Sequence, residues 1–436
     1  FLGTCRALHP WVALQGERYL GVGTHLKYYI NEGGGYNDIT PIRVTTSAGD
    51  VTFSAAANTL SADVAIDADE ITLSSSTGFP ESGRIKINNE IITYAAISSN
   101  VLQGCLRGQS LTEAATHSSG AAVLCATITV TDAAHGALES DFVTFSGAVT
   151  LGDNITAAIL NQEYQITSVL NVNSYLIEAR VVSTIPSITT SSGLVPTVTD
   201  PVTGVVSSGF VFASTSDSGN GGSSVVGAYQ INTGLDTTIT GAGWGAGTWG
   251  RGAWDSAANL TTSGQTLRIW SHDNFGEDLL INVRDGDLFY WDKTNGTSTR
   301  AVELASLTGA NTTPIIAKKV LVSDRDRHII AFGCDSELNP GVQDPLLIRF
   351  SDQASLTEWN ATATNTAGDL RLGSGSEIIT AVETRQQVLV FTDVSLHAMQ
   401  FLGPPFTFGI NTVSENITIA GPLASIAVED NVYWMG

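Results

Sequence analysis

The chain has 436 residues, of which 42 are acidic and 20 are basic, so the formal net charge is −22. This charge argues against a basic nucleic-acid reader and against binding to an anionic membrane. The hydrophobic content of 42% argues against disorder of the whole chain. No apolar run reaches about 18 residues, so no membrane-spanning helix is predicted. The length is enough for roughly three average domains.

Short runs of Val, Ile, Thr, Tyr and Phe alternate with Gly, Asn, Asp and Ser along almost the whole sequence. Such runs predict strands, and the fold class predicted is all-β. Residues 84–87 and 90–94 are two of these strands, and Asn88 with Asn89 predicts a tight hairpin turn between them. Helical periodicity is scarce, and residues 301–307 and 353–359 are the two candidates for a turn or two of helix.

Composition divides the chain into an interrupted parent domain and an insertion. Residues 1–45 carry aromatic, strand-like runs, and residues 206–436 hold seven of the eight Trp, whereas residues 46–205 are rich in Ser, Thr and Ala and contain no Trp. We therefore expect the middle zone to be inserted into one parent domain. It is predicted to hold two small β-sandwich or barrel modules, 46–125 and 126–205, the second including a linker.

Hairpins recur in the third zone at intervals of roughly 40–50 residues, a spacing that is typical of propeller blades. Three of them lie at 279–292, 319–332 and 377–401, and a fourth begins at residue 424. The prediction is a β-propeller-like platform, with an array of β-sandwiches as the competing architecture. Because the sequence starts with Phe1 and stops within a strand-like run, we expect a piece of a longer polypeptide with an incomplete propeller.

The four cysteines are too few for a disulfide scaffold of this size. Cys105 and Cys125 could meet across a hairpin, but the favoured prediction is four buried thiols, Cys5 and Cys334 included. Neither their spacing nor that of the seven histidines matches a metal-binding motif. No metal and no cofactor is predicted.

Several short motifs have simple structural explanations. Residues 245–250 read GAGTWG, but no strand precedes them and no helix pattern follows, so a glycine-rich loop is favoured over a dinucleotide site. The acidic cluster around Asp273, Glu277 and Asp278 is interpreted as a solvated turn rather than a calcium loop. Ser374 lies in GSGS, which is not a nucleophile elbow, and nothing in the sequence supports a catalytic triad.

The one local cluster of positive charge consists of Lys318, Lys319, Arg325 and Arg327. It could contact a phosphate backbone or an acidic neighbouring subunit. Asp324 and Asp326 are interleaved with the arginines, so pairing within the cluster is the favoured interpretation.

Longer strings resemble the tail nozzle, or hub, proteins of short-tailed bacteriophages over residues 1–45 and 240–436. They are YNDITP (36–41), GWG (243–245), WGRGAW (249–254), LRIWS (267–271), LVFTD (389–393), QFLGPPFTF (400–408), SEN (414–416), IAGP (419–422) and VYWMG (432–436). In the middle zone, TGFP (77–80), EIITY (90–94) and VTDAAHG (130–136) resemble small β modules of phage tail proteins.

The resemblance implies a structural virion protein, not an enzyme, with no catalytic or cofactor residues to carry over. Such nozzles are β-propeller platforms that form a ring, usually sixfold, below the portal and adaptor. The implied partners are copies of this chain, the adaptor and portal, tail fibres or a needle, and DNA passing through the lumen without sequence-specific binding. The implied location is the phage tail, assembled in the host cytoplasm without membrane insertion.

Two loops are the candidate subunit or lumen contacts, because rigid aromatic residues and prolines in loops favour interfaces. Their candidate residues are Trp244, Trp249, Arg251, Trp254, Pro404, Pro405 and Phe406. Filling of the gaps between blades is an equally good role for these aromatic residues. The alternative function is a receptor-binding or fibre-attachment protein in which residues 50–195 recognise a host surface glycan. A polysaccharide depolymerase would need paired carboxylates, which the sequence does not place.

Overall fold

The computed structural model describes residues 1–181, 198–199, 206–207, 209–234, 267–323, 325–403, 406–428 and 431–436. The chain divides into two compact units. Unit one combines Phe1–Pro41 with Gly234–Gly436, and unit two is Ile42–Thr233. Strands dominate both units, which confirms the predicted all-β class. Within the described ranges, no helix has the length and apolar character needed to span a membrane.

The first segment of unit one is an antiparallel four-stranded meander in the order β1-β2-β3-β4. Its strands are β1 (Cys5–Val12), β2 (Arg18–Thr24), β3 (Tyr28–Glu32) and β4 (Gly35–Asp38). Tyr28 and Ile30 of β3 are fully buried, while Gly21 lies where a Cβ would come within 2.5 Å of the Tyr28 hydroxyl. The small residue therefore lets the tyrosine cross the neighbouring strand.

Unit two contains eighteen described strands and one short helix, α1 (Ala157–Leu160), which Thr156 caps through its side chain. The strands are β5 (Ile42–Thr45), β6 (Thr52–Ser54), β7 (Ala57–Thr59), β8 (Glu70–Thr72), β9 (Gly83–Ile87), β10 (Glu90–Tyr94), β11 (Ala96–Ser98), β12 (Val101–Gln103), β13 (Leu106–Gln109), β14 (Ala122–Cys125), β15 (Thr127–Thr131), β16 (Phe142–Ser146), β17 (Glu163–Gln165), β18 (Ser168–Asn171), β19 (Ser174–Glu178), β20 (Val198–Thr199), β21 (Val206–Ser207) and β22 (Val226–Gln230).

Two large hydrophobic cores organise the described part of unit two, and a smaller cluster is formed by Ile91, Ala126, Phe210 and Phe212. One is enclosed by a five-stranded sheet, β13-β10-β9-β14-β7, and a three-stranded sheet, β11-β12-β8. The other lies between the sheets β18-β19-β15-β6 and β17-β16-β22-β5. This second core joins Phe53, Val130 and Tyr229, so it draws on residues that precede and follow those of the first core in the sequence.

The second segment of unit one adds sixteen described strands and two 3₁₀ turns, Lys293–Asn295 and Leu304–Ser306. The strands are β23 (Trp270–Phe275), β24 (Asp278–Val283), β25 (Leu288–Trp291), β26 (Val302–Glu303), β27 (Lys319–Val322), β28 (Ile329–Phe332), β29 (Asp335–Ser336), β30 (Asn339–Gln343), β31 (Leu347–Phe350), β32 (Gly368–Arg371), β33 (Ile378–Glu383), β34 (Val388–Thr392), β35 (Ser395–Phe401), β36 (Phe408–Glu415), β37 (Ser425–Val428) and β38 (Asn431–Trp434).

These strands form three further antiparallel four-stranded sheets, β23-β24-β25-β26, β27-β28-β31-β32 and β33-β34-β35-β36, and two two-stranded sheets, β29-β30 and β37-β38. The first strand of each sheet contacts the first strand of the next, from β1 through β23, β27 and β33 to β37. Successive meanders joined through their first strands are the arrangement of propeller blades. Among the described residues no closed propeller or barrel is present, and the complete propeller stays a prediction.

Side chains of one sheet satisfy the backbone of the next at these junctions. Ser271 Oγ accepts a hydrogen bond of 3.0 Å from Val320 N, and Asp273 Oδ2 accepts one of 2.8 Å from Val322 N. Lys318 Nζ lies 3.2 Å from Asp285 Oδ1 and 2.7 Å from Glu377 Oε2, which ties three consecutive sheets together. Backbone N–H groups at the edge of one sheet therefore have hydrogen-bond acceptors in the neighbouring sheet.

Candidate functional site

The candidate interface loops are only partly described by the structure. Trp244, Trp249, Arg251 and Trp254 lie outside the described residues, as do the GAGTWG motif and the two prolines Pro404 and Pro405. Phe406 is described, and 71% of its surface is exposed. Leu402, on the other side of the same loop, is also exposed.

The β35–β36 loop, residues 402–407, is next to a group of packed aromatic rings. Phe408 is buried, with its ring centroid 4.9 Å from that of Phe350 and 5.6 Å from that of Phe401. Leu402 N donates to Thr407 O at 3.0 Å, which closes the loop. An exposed apolar side chain beside packed aromatic rings is an arrangement expected of an interface anchor.

The last hairpin, β37–β38, presents a second group of exposed apolar side chains. Ile426, Val428, Tyr433 and Met435 are exposed, while Trp434 packs its ring 5.6 Å from that of Phe391. Ile426 and Tyr433 are directly opposite each other in the hairpin, so these two side chains lie on one face of it.

Ser374 lies in a buried polar network at one end of the β33–β36 sheet. Its Oγ is 3.2 Å from His397 Nε2, which is also 2.9 Å from Ser395 Oγ. The other ring nitrogen, Nδ1, lies 3.3 Å from Thr412 Oγ1, and burial lowers the pKa of His397. A catalytic triad requires an acid at this second nitrogen, and here a hydroxyl occupies that position. The geometry favours a structural network that joins strand ends.

The acidic cluster is used for local structure. Asp278 accepts hydrogen bonds from Tyr290 Oη and Lys293 N, and Lys293 Nζ lies 3.2 Å from Glu277 Oε1. Asp273 reaches the next sheet, as described above. No group of three potential metal ligands occurs within the described residues.

The basic cluster is divided between two environments. Lys318 pairs with carboxylates of neighbouring sheets, whereas burial lowers the pKa of Lys319 to about 8 and its Nζ donates to Thr380 Oγ1. Arg325 approaches Asp326 at 3.9 Å, and Arg327 lies over the ring of Phe275. Within the described residues, these groups do not converge on one exposed basic surface.

All four cysteines are free. Cys105, Cys125 and Cys334 are buried, as predicted, but Cys5 is exposed, so the prediction of four buried thiols is wrong at this position. Cys5 lies in β1 at the beginning of unit one, where the strand is largely solvent-exposed. The possible bridge between Cys105 and Cys125 does not form.

A buried ionic network stabilises the first core of unit two. Arg107 makes two hydrogen bonds to Glu90, from Nε to Oε1 at 2.8 Å and from Nη2 to Oε2 at 2.7 Å. His117 Nε2 lies 2.7 Å from the same Oε2, and Gly108 N donates to Oε1 at 3.0 Å. Every acceptor position of the carboxylate is engaged, so the network is structural.

A cavity of about 170 Å³ opens in unit one beside the β29–β30 hairpin. Its polar lining includes Thr312, Thr313, Asp335, Glu337 and Arg349, and Pro340 contributes an apolar wall. Arg349 is 3% exposed, and Thr313 Oγ1 is buried without a hydrogen-bond partner among the described residues. Sequence reasoning missed this site because its lining residues are spread from Ala305 to Arg349 and belong to no motif.

No family model and no curated protein matches the sequence. Among solved structures, the phage phi92 endosialidase aligns with 91% of this chain and 50% of its own, at 10% identity and a TM-score of 0.17. The extracellular domain of the one component system BT4673 from B. thetaiotaomicron aligns with 95% of this chain and 61% of its own, at 11% identity and a TM-score of 0.19. Both TM-scores are far too low for either likeness to carry an argument about fold or function.

Proposed function

We propose that this chain is a structural subunit of the tail of a short-tailed bacteriophage, forming the nozzle ring below the portal and adaptor. The observation that carries the proposal is the row of four-stranded meanders in unit one, joined through their first strands from β1 to β33. A platform of blade-like sheets presents its loops at fixed positions for contacts between subunits. The sequence strings that resemble tail nozzles, in residues 1–45 and 240–436, add to this support.

The proposed role is geometric and needs no catalytic group. Loops such as 402–407 would pack against neighbouring subunits through exposed apolar tips. The net charge of −22 suits a conduit for DNA, because carboxylates near the lumen repel phosphates within a Debye length of about 8 Å at physiological salt. DNA could then be retained and guided without sequence-specific binding.

Unit two supports a second candidate, a receptor-binding or fibre-attachment protein that recognises a host surface glycan. It has two cores of its own, both built from β-sheets, and therefore folds around its own apolar residues rather than those of unit one. Such a module is suited to carrying a binding surface. A peripheral trimer is the assembly expected for that role.

The deciding experiment combines mass photometry of the purified full chain with cryo-electron microscopy of virions that carry it. A ring of about six copies at the portal-distal end of the tail is expected for the nozzle. A trimer at the tail periphery would overturn the nozzle proposal in favour of receptor binding. Absence of the chain from purified virions would overturn both.

A further inference from the structure

The four-stranded sheets of unit one pack face to face in a row, which gives the row two end faces. Trp11 and Tyr19 of the first sheet contact Trp291 of the second. One buried core joins the second sheet to the third, and another joins the third to the fourth. The hairpin β37–β38 follows the fourth sheet, with the ring of Trp434 against that of Phe391. The second, third and fourth sheets therefore each have a neighbour on both faces.

The outer face of the first sheet is one end of this row. Trp11 and Tyr19 lie opposite each other in the β1–β2 hairpin, on the face that contacts the second sheet. Side chains alternate between the two faces of a strand, so Leu8, Pro10 and Val12 of β1 point away from the second sheet. All three are exposed, and Leu8 and Val12 are exposed over more than half of their surface. We call these three residues the first end face.

The outer face of the β37–β38 hairpin is the other end of the row. Trp434 contacts Phe391 of the fourth sheet, so its side of the hairpin faces that sheet. By the same alternation, Ile426, Val428 and Tyr433 lie on the opposite side. Each of these three side chains is exposed over half of its surface or more. We call them the last end face.

The charge of the chain favours a second copy as the partner of these faces. Two copies that each carry a net charge of −22 repel one another, so they approach most easily through surfaces without carboxylates. Residues 416–428 and 431–436, which include both strands of the last hairpin, contain no charged residue. On the first sheet, Arg18 is exposed opposite Val12, so a positive charge borders the first end face. Contact between the two end faces therefore buries apolar surface and places no described carboxylate of the hairpin against the first sheet.

We propose that the first end face of one copy packs on the last end face of a second copy, so that the row of sheets continues from subunit to subunit. The contact repeats between chains the sheet-on-sheet packing that already joins the sheets within one chain. Because it joins two different faces, every copy in an open row leaves one face of each kind for the next, and the row closes when it forms a ring. The inference rests on the proposed function for the assembly of several copies, and it names the surfaces that this assembly uses.

Cross-linking between copies tests the contact directly. Leu8→Cys and Ile426→Cys are made separately in a Cys5→Ser background, in which the remaining native cysteines are buried. One variant is labelled with heavy nitrogen, the two full chains are mixed with a short bis-maleimide, and the products are identified by intact mass. The mixed dimer is expected to exceed either symmetric dimer about fivefold or more, because the contact joins unlike faces. The same yield with Leu338→Cys in place of Leu8→Cys would overturn the proposal, as would a cross-link within one chain that carries both substitutions.

A charge placed on either end face should prevent assembly without unfolding the chain. Leu8→Asp and Ile426→Asp are each expected to raise the concentration needed for assembly about tenfold or more in mass photometry, because a buried carboxylate would have no partner. Leu338→Asp makes the same change at an exposed hairpin tip, and Leu14→Asp makes it in the turn after β1, where the Leu14 N–H donates to Glu277 of the second sheet. Both controls should assemble normally. Unaltered assembly of either end-face variant would overturn the proposal.

The position of the chain in virions separates this inference from the proposed function. Copies that cross-link through the two end faces but are absent from the portal-distal end of the tail would overturn the nozzle and support the contact. A ring at that end of the tail whose copies do not cross-link through these faces would support the nozzle and overturn the contact.

Discussion

Asp273 Oδ2 accepts a hydrogen bond of 2.8 Å from the backbone N–H of Val322, and this bond joins the first strands of two consecutive sheets. The amide belongs to an edge strand, β27, whose outer groups have no strand partner on this side. Together with Ser271 and Val320, the pair forms a side-chain substitute for a strand ladder. It explains how separate meanders stay in register without merging into one sheet.

Replacement of Asp273 by alanine is therefore expected to destabilise unit one by about 1–3 kcal/mol, because the Val322 amide loses its acceptor. The measurement is the free energy of unfolding from urea denaturation. Asp369→Ala is the matched control, since Asp369 is exposed on β32, and it should stay within about 0.5 kcal/mol of the unmodified chain. Equal stability of both variants would show that the junction is held by packing alone.

The Glu90 network predicts a specific acid sensitivity of unit two. Burial alone would raise the pKa of Glu90, but hydrogen bonds from Arg107, Gly108 N and His117 outweigh it and lower the pKa from 4.5 to about 2. A carboxyl with a lowered folded-state pKa contributes stability above its unfolded pKa and loses it as the pH falls through the folded value. About 3 kcal/mol should therefore disappear between pH 5 and pH 2.

Glu90→Gln tests this account. The variant should lose about 3–5 kcal/mol at neutral pH, because Arg107 remains buried without its counter-ion, and its remaining stability should depend less on acid. Glu113→Gln is the control, since Glu113 is exposed. The free energy of unfolding is measured by denaturation at pH 7, 4 and 2.5. If it depends on pH in Glu90→Gln as it does in the unmodified chain, the acid sensitivity comes from other carboxyl groups.

Thiol reactivity follows from burial. Burial raises the pKa of Cys105 to about 11 and the pKa values of Cys125 and Cys334 to about 12, whereas Cys5 is exposed. At pH 8 the native chain should release one equivalent with Ellman's reagent, and four after denaturation. Cys5→Ser should abolish the native signal. Two missing equivalents under denaturing, non-reducing conditions would reveal a disulfide and contradict the structure.

Phe406 allows assembly and stability to be separated. Because it is exposed at the tip of a loop, Phe406→Ser should change the free energy of unfolding by less than about 0.5 kcal/mol. If the β35–β36 loop contacts a neighbouring subunit, the same variant should shift mass-photometry distributions towards monomers. Leu14→Ser is the control, since Leu14 is 92% exposed on another loop. Equal oligomer distributions for both variants would show that this loop is not part of the subunit interface.

Local features of the fold were predictable and long-range ones were not. Asn88 adopts a φ of 53° at the predicted turn between β9 and β10, because asparagine tolerates the left-handed conformation that a tight hairpin needs. The hairpins of unit one were likewise predictable from short runs of strand-forming residues separated by turn residues. Of the two candidate helices, 301–307 contains only the 3₁₀ turn Leu304–Ser306, and 353–359 contains none.

The cavity illustrates what a single sequence does not reveal. Thr313 and Arg349 have ordinary neighbours in sequence, and only the pairing of β31 with β28 and the course of segment 305–313 bring them together. The contact of Asp273 with Val322 likewise depends on how two sheets pack. Periodicity reports which face of a strand is buried, but it carries no information about which sheet lies opposite.

The last prediction concerns Asp287, where burial works against stability. Burial, with the neighbouring charges of Glu303 and Asp335, raises the pKa of Asp287 from 3.8 to about 6. Because the folded-state pKa is raised, ionisation of Asp287 costs the folded state free energy. This cost is absent at pH values below the unfolded-state pKa and complete above pH 6. Unit one should therefore lose stability from this group as the pH rises from 4 to 6.

Asp287→Asn removes the charge and is expected to raise the free energy of unfolding at pH 8 by about 1–3 kcal/mol. At pH 3.5, where Asp287 is mostly protonated in both states, the variant and the unmodified chain should have nearly the same stability. Asp369→Asn, at an exposed position, should show no such pH-dependent difference. A stability difference that is the same at both pH values would mean that the substitution acts through packing, because packing, unlike the charge of Asp287, does not depend on pH.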